Sequence, residues 1–287
     1  MDISNKSRTR AIIEAHEFKF KKKFGQNFLT DANILRKIIG AAELDQDVAV
    51  IEVGPGIGAL TEYIARAAGS VVAYEIDTTL IPILSDVLSL YPNVEVRNED
   101  ILKADVGIMI SEKFSDFNEI AVVANLPYYI TTPILMGLIE ARLPIDRYVV
   151  MMQYEVARRL SAVPGTKDYN ALSIAVQYYC DVEIAINVPR DVFIPAPNVD
   201  SAVVVLKRKK VSSVVVEDEV FFMDLVHACF KQRRKTLLNN LSTYFEDLNK
   251  DEITRKLESI GISPSVRAEA LPIEDFARLT DLFTKSF

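Results

Sequence analysis

Within four residues, Asn125-Leu126-Pro127-Tyr128 sets an amide, a turn-fixing proline and an aromatic ring side by side. The run before it, Ile120 to Ala124 (IAVVA), reads as a strand. Thr131-Thr132-Pro133 after it reads as a helix start, with either threonine as the cap. A strand that stops at such a turn carries it to the carboxyl edge of a sheet, where open α/β sheets bind ligands. The residue types suit one chemistry. The exocyclic amine of a purine is a poor nucleophile, because its lone pair is delocalised into the ring. Acceptors for its two N–H groups localise that lone pair. The Asn125 side-chain oxygen and the Leu126 carbonyl are two such acceptors if Pro127 fixes the turn. Tyr128 offers a face on which an unpaired base stacks. The same tetrapeptide also fits an ordinary strand-to-helix turn, where Asn and Pro are common.

The elements that must position this turn form a recurring series. Val48 to Val53 (VAVIEV) is a continuous apolar strand of the kind buried on both faces of a parallel sheet. It runs into Gly54-Pro55-Gly56-Ile57-Gly58 and a helix from Ala59 to about Ala68. Glycines there let backbone approach a ligand and leave helix amides exposed to it. Ser70 to Tyr74 is a second strand, ending at Glu75-Ile76-Asp77. An acid at that position can accept both ribose hydroxyls of a nucleoside. Thr78 to Leu90 reads as a helix and Val94 to Arg97 as a third strand, ending at Asn98-Glu99-Asp100. Asp100 is placed to meet an adenine amino group, or equally to cap a helix. Four strand ends thus present Gly54, Glu75, Asp100 and Asn125 in turn, as stacked βα units do. The glycine spacing is G-x-G-x-G rather than the dinucleotide G-x-G-x-x-G. That favours a single nucleoside with a compact tail over NAD, and a nicotinamide dehydrogenase is disfavoured.

Upstream, Arg8 to Glu17 reads as a short helix. FGQNFL, residues 24–29, is an aromatic, amide-rich loop entering a helix capped by Thr30 or Asp31 and running to about Leu44. Such a loop either holds a polar ligand at a helix N-terminus or is a plain lid. Downstream, Pro133 to Arg142 is a helix, Arg147 to Met152 a fifth strand and Tyr154 to Ala162 a helix with Arg158 and Arg159. Ser173 to Tyr179, Val182 to Val188 and Ser201 to Leu206 read as strands. Before the last of these, Phe193 in a proline-rich loop is either a core plug or an exposed stacking platform; the stiff backbone favours the platform. A composition shift at Lys207 to Val211 marks a boundary. The expected division is a catalytic domain of residues 1–208 and a helical domain of residues 209–287. The latter is a bundle of about four helices between Glu219 and Leu282.

With 33 basic against 40 acidic residues, the net charge is −7, which is unusual for a nucleic-acid binder. The basic residues cluster at 19–23, 207–210 and 231–235, and a polyanion responds to local field rather than to the total. Two cysteines exclude a disulfide framework and a four-cysteine zinc site and fit a reducing cytoplasm. No signal peptide, membrane span, zinc spacing, Ser/His/Asp set or phosphate-binding P-loop is visible. No metal is expected, and nothing suggests an obligate dimer, so a monomer is.

Taken together, FGQNFLTD, IEVGPGIGALTEYIA, YEID, NEDIL, NLPYYITTPI, VFIPAPNVDSAVV and FKQRRKTLLNNL resemble one family in order and spacing. It is the small-subunit (16S-type) ribosomal RNA adenine N6,N6-dimethyltransferases, and the likeness spans nearly the whole chain. The resemblance implies a Rossmann-like S-adenosylmethionine-dependent methyltransferase sheet with helices on both faces, plus a small all-α C-terminal domain that contacts rRNA. It implies dimethylation of adenines, two adjacent ones near the rRNA 3′ end, late in small-subunit biogenesis, with S-adenosylhomocysteine as product. By the same resemblance Asn27 and Leu29 contact the cofactor's methionine or adenosine end. The loop of Gly54 and Gly56 lies against its methionine portion. Glu75, with Ile76, takes the ribose, and Asp100, with Ile101, the adenine. Asn125 bridges cofactor and target amine, while Tyr128 and Phe193 sandwich the target base. The related macrolide-resistance methylases, which modify large-subunit rRNA, and a mainly non-catalytic assembly factor are the alternatives.

Overall fold

The computed structural model describes residues 3–21, 24–212 and 214–284. The chain divides into two compact units: residues 1–157 with 182–208, and residues 158–181 with 209–287. Residues 158–181, which the sequence reading places with the catalytic segment, therefore pack with the C-terminal one.

The first unit holds helices α1 (Lys6–Ala15), α2 (Ala32–Ala42), α3 (Ala59–Ala67), α4 (Ile81–Val87), α5 (Val106–Lys113) and α6 (Thr131–Glu140). Its strands are β1 (Phe28–Leu29), β2 (Val48–Val53), β3 (Ser70–Tyr74), β4 (Val94–Arg97), β5 (Glu119–Asn125), β6 (Arg147–Gln153), β7 (Cys180–Val188), β8 (Phe193–Ile194) and β9 (Ser201–Arg208). Seven of them form one sheet in the order β4-β3-β2-β5-β6-β9-β7. β4 through β6 run parallel, and β9 returns antiparallel to β6. β1 and β8 pair separately, with Leu29 opposite Phe193. The strand order reverses between β2 and β5. That switch point opens a crevice beyond their carboxyl ends, between the loop at Gly54 and the turn at Asn125.

Every residue of β2 is buried, as are Ile120 to Ala124 of β5, which explains their unbroken apolar runs. Arg147 is a buried cation on this scaffold. Its guanidinium donates to the Ala42 carbonyl at 2.7 Å and the Glu43 carbonyl at 3.0 Å, and pairs with Glu119. It thereby satisfies the end of α2, where Glu43 turns left-handed at φ 50°.

Three expectations need correction. Ser173 to Tyr179 is not a strand but part of helix α8 (Ala171–Tyr179). Asn170 and Ser173 form a reciprocal capping box there, and Ser173 to Val176 are all buried, so the helix is apolar all round and its period is hidden. Neither Thr131 nor Thr132 caps α6; Thr131 is already helical, and its hydroxyl donates to the Pro127 carbonyl at 2.9 Å. The helix read as Thr78 to Leu90 is confined to Ile81–Val87, because Asp77 and Thr79 form a hydrogen-bonded turn first.

The second unit contains α8 and helices α9 (Glu219–Phe230), α10 (Leu237–Tyr244), α11 (Lys250–Ser259) and α12 (Ile273–Thr284). α7 (Tyr154–Leu160) crosses from one unit into the other. Phe222, Leu225, Leu241, Leu257, Phe276 and Phe283 fill the second unit's core. Among the described residues no helix is long and apolar enough to cross a membrane.

Arg147→Met is expected to lower the unfolding free energy by about 1–3 kcal/mol, the cost of stranding buried carbonyls. A shift of the urea midpoint at constant slope measures it; an unmoved midpoint contradicts the capping role.

Candidate active site

A cleft opens at the switch point. It is lined by residues from every strand end singled out above: Asn27, Leu29, Gly54, Gly56, Glu75, Ile76, Asp100, Ile101, Asn125, Leu126, Pro127 and Tyr128. Phe193 is the exception. Its ring is only 3% exposed and sits in the core with Leu29, Val188 and Val203, so the expected exposed platform is a core plug here. Pairing of β8 with β1 draws it inward.

The Asn125 amide is held at one end only. Its Nδ2 donates to the Asn27 carbonyl at 3.2 Å, which fixes the flip of the group. Its Oδ1 is buried and has no hydrogen-bond partner. A buried acceptor left unsatisfied costs about 1–3 kcal/mol, and the fold supplies no partner that offsets it. Leu126 donates its N–H to Met151 at 3.0 Å, and the Pro127 carbonyl accepts from both Ile130 N–H and the Thr131 hydroxyl. The turn is thus locked on both sides. Tyr128 shares a hydrogen bond with the Ser201 hydroxyl at 2.5 Å, which sets the plane of its half-buried ring. Burial raises its phenol pKa above the usual value, with the Ser201 contact opposing.

Opposite lies the glycine loop. Gly54 and Gly56 adopt φ of 67° and 61°. A Cβ on Gly56 would come within 3.0 Å of the Phe28 ring, so only glycine passes there. One of Glu75's two carboxylate oxygens accepts from Asp77 N–H at 2.8 Å, the other from Gly56 N–H at 3.3 Å. The side chain of Asn98 donates to the Glu75 carbonyl at 2.7 Å. Asp100 caps the following turn through Leu102 N–H at 3.1 Å and also lines the cleft.

Sequence reasoning passed over Glu52, Gln26, Phe28 and Tyr129, which also line the cleft. Glu52 had a visible signal: it is the one charge in the strand Val48–Val53, at a position where both faces are covered. It is 1% exposed and its Oε2 has no partner. Burial pushes its carboxyl up to about 8, with the Glu75 charge adding. Burial pushes Glu75 to about 7, against the backbone N–H groups that hold its charged form. Asp77 moves the other way. Burial alone would raise it, but hydrogen bonds from Lys21, Thr79 and Gln26 outweigh that and bring it to about 2.

A sheet of this order, with its cleft at the switch point and an Asn-Leu-Pro-Tyr turn on the facing strand, defines the Rossmann-like methyltransferase class. Comparison with known proteins narrows the class. The chain matches the ribosomal RNA adenine dimethylase family over residues 17–285 and belongs to it. It is 56% identical over 283 residues to ribosomal RNA small subunit methyltransferase A of Streptococcus pneumoniae (strain P1031), covering 98% of each chain. Identity to the protein of the same name from Streptococcus thermophilus (strain ATCC BAA-491 / LMD-9) is 55%, at the same coverage. Among solved structures, a dimethyladenosine transferase from Plasmodium falciparum matches with TM-score 0.74 at 30% identity, over 90% of this chain and 98% of that one. The 23S rRNA methyltransferase ErmE matches with TM-score 0.67 at 29% identity, over 90% and 99%.

The two raised carboxyls make a pH prediction. Each sits near 4.5 when unfolded and binds its proton more tightly when folded. The folded state therefore holds the extra protons between these values, and stability falls as pH rises from about 4.5 to about 8. Glu52→Gln is expected to flatten that fall and to raise the melting temperature at the alkaline end. Thermal melts across the window check it; parallel curves for variant and parent would refute the assignment.

Proposed function

We propose that the protein transfers methyl groups from S-adenosylmethionine to N6 of adenines in small-subunit rRNA, converting each target to the dimethylated base. The observation that carries the site chemistry is the buried, partnerless Asn125 Oδ1 in a cleft beside the glycine loop. The substrate class rests on family membership and on relatives 55–56% identical over 98% of the chain that carry the small-subunit name. The likeness to ErmE keeps a large-subunit substrate as the second reading.

The residues present suit the cofactor. Glu75 is a buried acid at the end of the second parallel strand, suited to ribose hydroxyls. Gly54 and Gly56 leave room against backbone for a compact tail. Asp100 and Ile101 offer an acceptor and an apolar wall for the adenine ring. Asn27, Leu29 and Ile76 complete the enclosure. S-adenosylmethionine, when bound, supplies a methyl group on a positively charged sulfur, which is already an activated leaving group.

The target adenine leaves its stack to enter the cleft, as chemistry on a base requires. Tyr128, oriented by Ser201, stacks on it. Asn125 Oδ1 accepts from the amine, and the Leu126 carbonyl is the proposed second acceptor. These contacts localise the lone pair and stabilise the positive charge that develops on N6. Holding the amine in line contributes up to ~7–11 kcal/mol in favourable cases. After transfer the amine gives its proton to solvent, and the remaining N–H keeps one acceptor occupied for the second round. The helical unit contributes rRNA contact through Lys231, Arg234 and Lys235, exposed between α9 and α10. The protein acts as a cytoplasmic monomer on a preassembled particle, and no metal takes part. A checkpoint role in assembly is compatible with this activity.

Asn125→Ala is expected to cut methyl transfer about 100-fold or more, the scale seen when one transition-state contact is removed. Affinity for S-adenosylhomocysteine should change little. Tritium transfer into immature small subunits and calorimetry check the two halves, and near-parental turnover would sink the amine-acceptor role. Mass spectrometry of rRNA from cells lacking the protein should show dimethyladenosine missing from the small subunit; its loss from the large subunit instead would support the second reading.

A further inference from the structure

The Asn27 carbonyl that anchors Asn125 belongs to a loop with little secondary structure of its own. A buried acid, Asp77, ties that loop to the sheet edge. The side chain of Asp77 is 1% exposed, at the turn after β3. Its Oδ1 receives Lys21 Nζ at 2.6 Å, and its Oδ2 receives Gln26 Nε2 at 2.8 Å. Gln26 Oε1 in turn accepts the Lys21 N–H at 2.8 Å, which closes a ring of contacts around residues 21–26. Thr79 donates both its N–H and its hydroxyl to the same Asp77 oxygen, at 3.0 and 2.7 Å, so the acid cannot swing to follow the loop. Beyond Gln26, Asn27 Nδ2 donates to the Gly25 carbonyl at 2.9 Å. That contact turns the Asn27 peptide, and its carbonyl then meets Asn125 at 3.2 Å. The loop also leans on the other end of the turn: Gly25 lies against Tyr129, whose Cδ1 is 3.6 Å from where a Cβ would stand.

We propose that Asp77 is a positioning residue for Asn125, acting through Lys21, Gln26 and the Asn27 carbonyl. The proposal rests on the amine-acceptor role given to Asn125 above. It makes the β3 turn serve two tasks. Asp77 N–H holds the Glu75 carboxylate on the cofactor side, at 2.8 Å, while the Asp77 side chain aims the amide on the target side. Lys21 touches only the second task, whereas Gln26 also lines the cleft. Cutting the clamp at Lys21 therefore leaves the Asp77 N–H contact to Glu75 in place.

The test uses full-length protein carrying Lys21→Met, Gln26→Leu or Lys21→Arg. Single-turnover methyl transfer into immature small subunits at saturating S-adenosylmethionine is expected to slow about tenfold in Lys21→Met and Gln26→Leu, because a misplacement of order 1 Å costs up to ~100-fold. Lys21→Arg keeps charge and reach and should retain most of the rate. Calorimetric affinity for S-adenosylhomocysteine should stay within about twofold in Lys21→Met and Lys21→Arg, since the Lys21 side chain meets Asp77 and Thr79 and is not part of the cleft lining. A second readout needs no activity: the Asn125 side-chain amide signal in nitrogen-15 NMR, identified by its absence in Asn125→Ala. Its protons are expected to exchange with solvent about tenfold faster in Lys21→Met, having lost a fixed carbonyl partner. Parental rates and an unmoved amide signal overturn the proposal, as do losses of rate and of cofactor affinity in equal proportion. Should the parent protein transfer no methyl to small subunits, the functional reading fails alone, and the amide signal still decides the positioning role.

Discussion

One hydrogen bond sets the polarity of the reaction centre. A primary amide presents a donor end and an acceptor end that differ little in shape. Only the partner of one end decides what the other offers. The Asn27 carbonyl takes the Asn125 donor, so the cleft faces an acceptor. Had the neighbour been an N–H, the same asparagine would present donors and repel an amine. The buried, unpaired Oδ1 is a cost borne by the folded chain and relieved when an N–H arrives. In the proposed reaction such relief would raise the rate only to the extent that the contact strengthens as charge grows on the nitrogen, as it would for an acceptor facing a developing cation.

The acids around the cleft show how one stretch of sheet edge separates groups of the same chemistry. Glu52 and Glu75 are both buried and both pushed up, to about 8 and about 7. Asp77, two residues on, is equally inaccessible by side chain yet lies near 2, because a lysine, an amide and Thr79 all donate to it. At Asp77 these donors outweigh burial. Glu75 has backbone N–H groups on each oxygen, which hold its charged form but do not neutralise it. Of the acids that line the cleft, Glu52 and Glu75 are the two pushed toward neutral pH, while Asp77, outside the lining, is tied up by its own donors.

Much of this was legible in the chain. The bounds of β2, β3 and β4 coincide with the runs read from the sequence, since parallel strands bounded by turn residues have abrupt ends. The strand-end residues converge because the order of βα units dictates it, whatever the loops do. What failed has equally physical reasons. α5 went unread because its residues, VGIMISEK, include a glycine and only a weakly one-sided apolar face. α8 looked like a strand because burial on every side removes the 3.6-residue signature. Phe193 was misjudged because two-residue pairings such as β1 with β8 leave no pattern, yet that pairing decides which way the ring turns. Glu52 was hidden by its surroundings in the opposite sense: an apolar strand was read as apolar throughout.

Charge distribution separates basic clusters that composition alone does not. The clusters at 207–210 and 231–235 look alike in sequence but differ in use. Lys207 pairs with Glu43, Arg208 donates to the Ile139 and Leu143 carbonyls, and Lys209 donates to Gln177 and pairs with Asp181. Those cations hold the ends of sheet and helices and have little field left to project. Lys231 to Lys235 are all exposed, and of these Arg233 is engaged with Glu269 and the Lys167 carbonyl. Over a Debye length of about 8 Å at physiological salt, a phosphate senses this turn and not the net −7 of the whole.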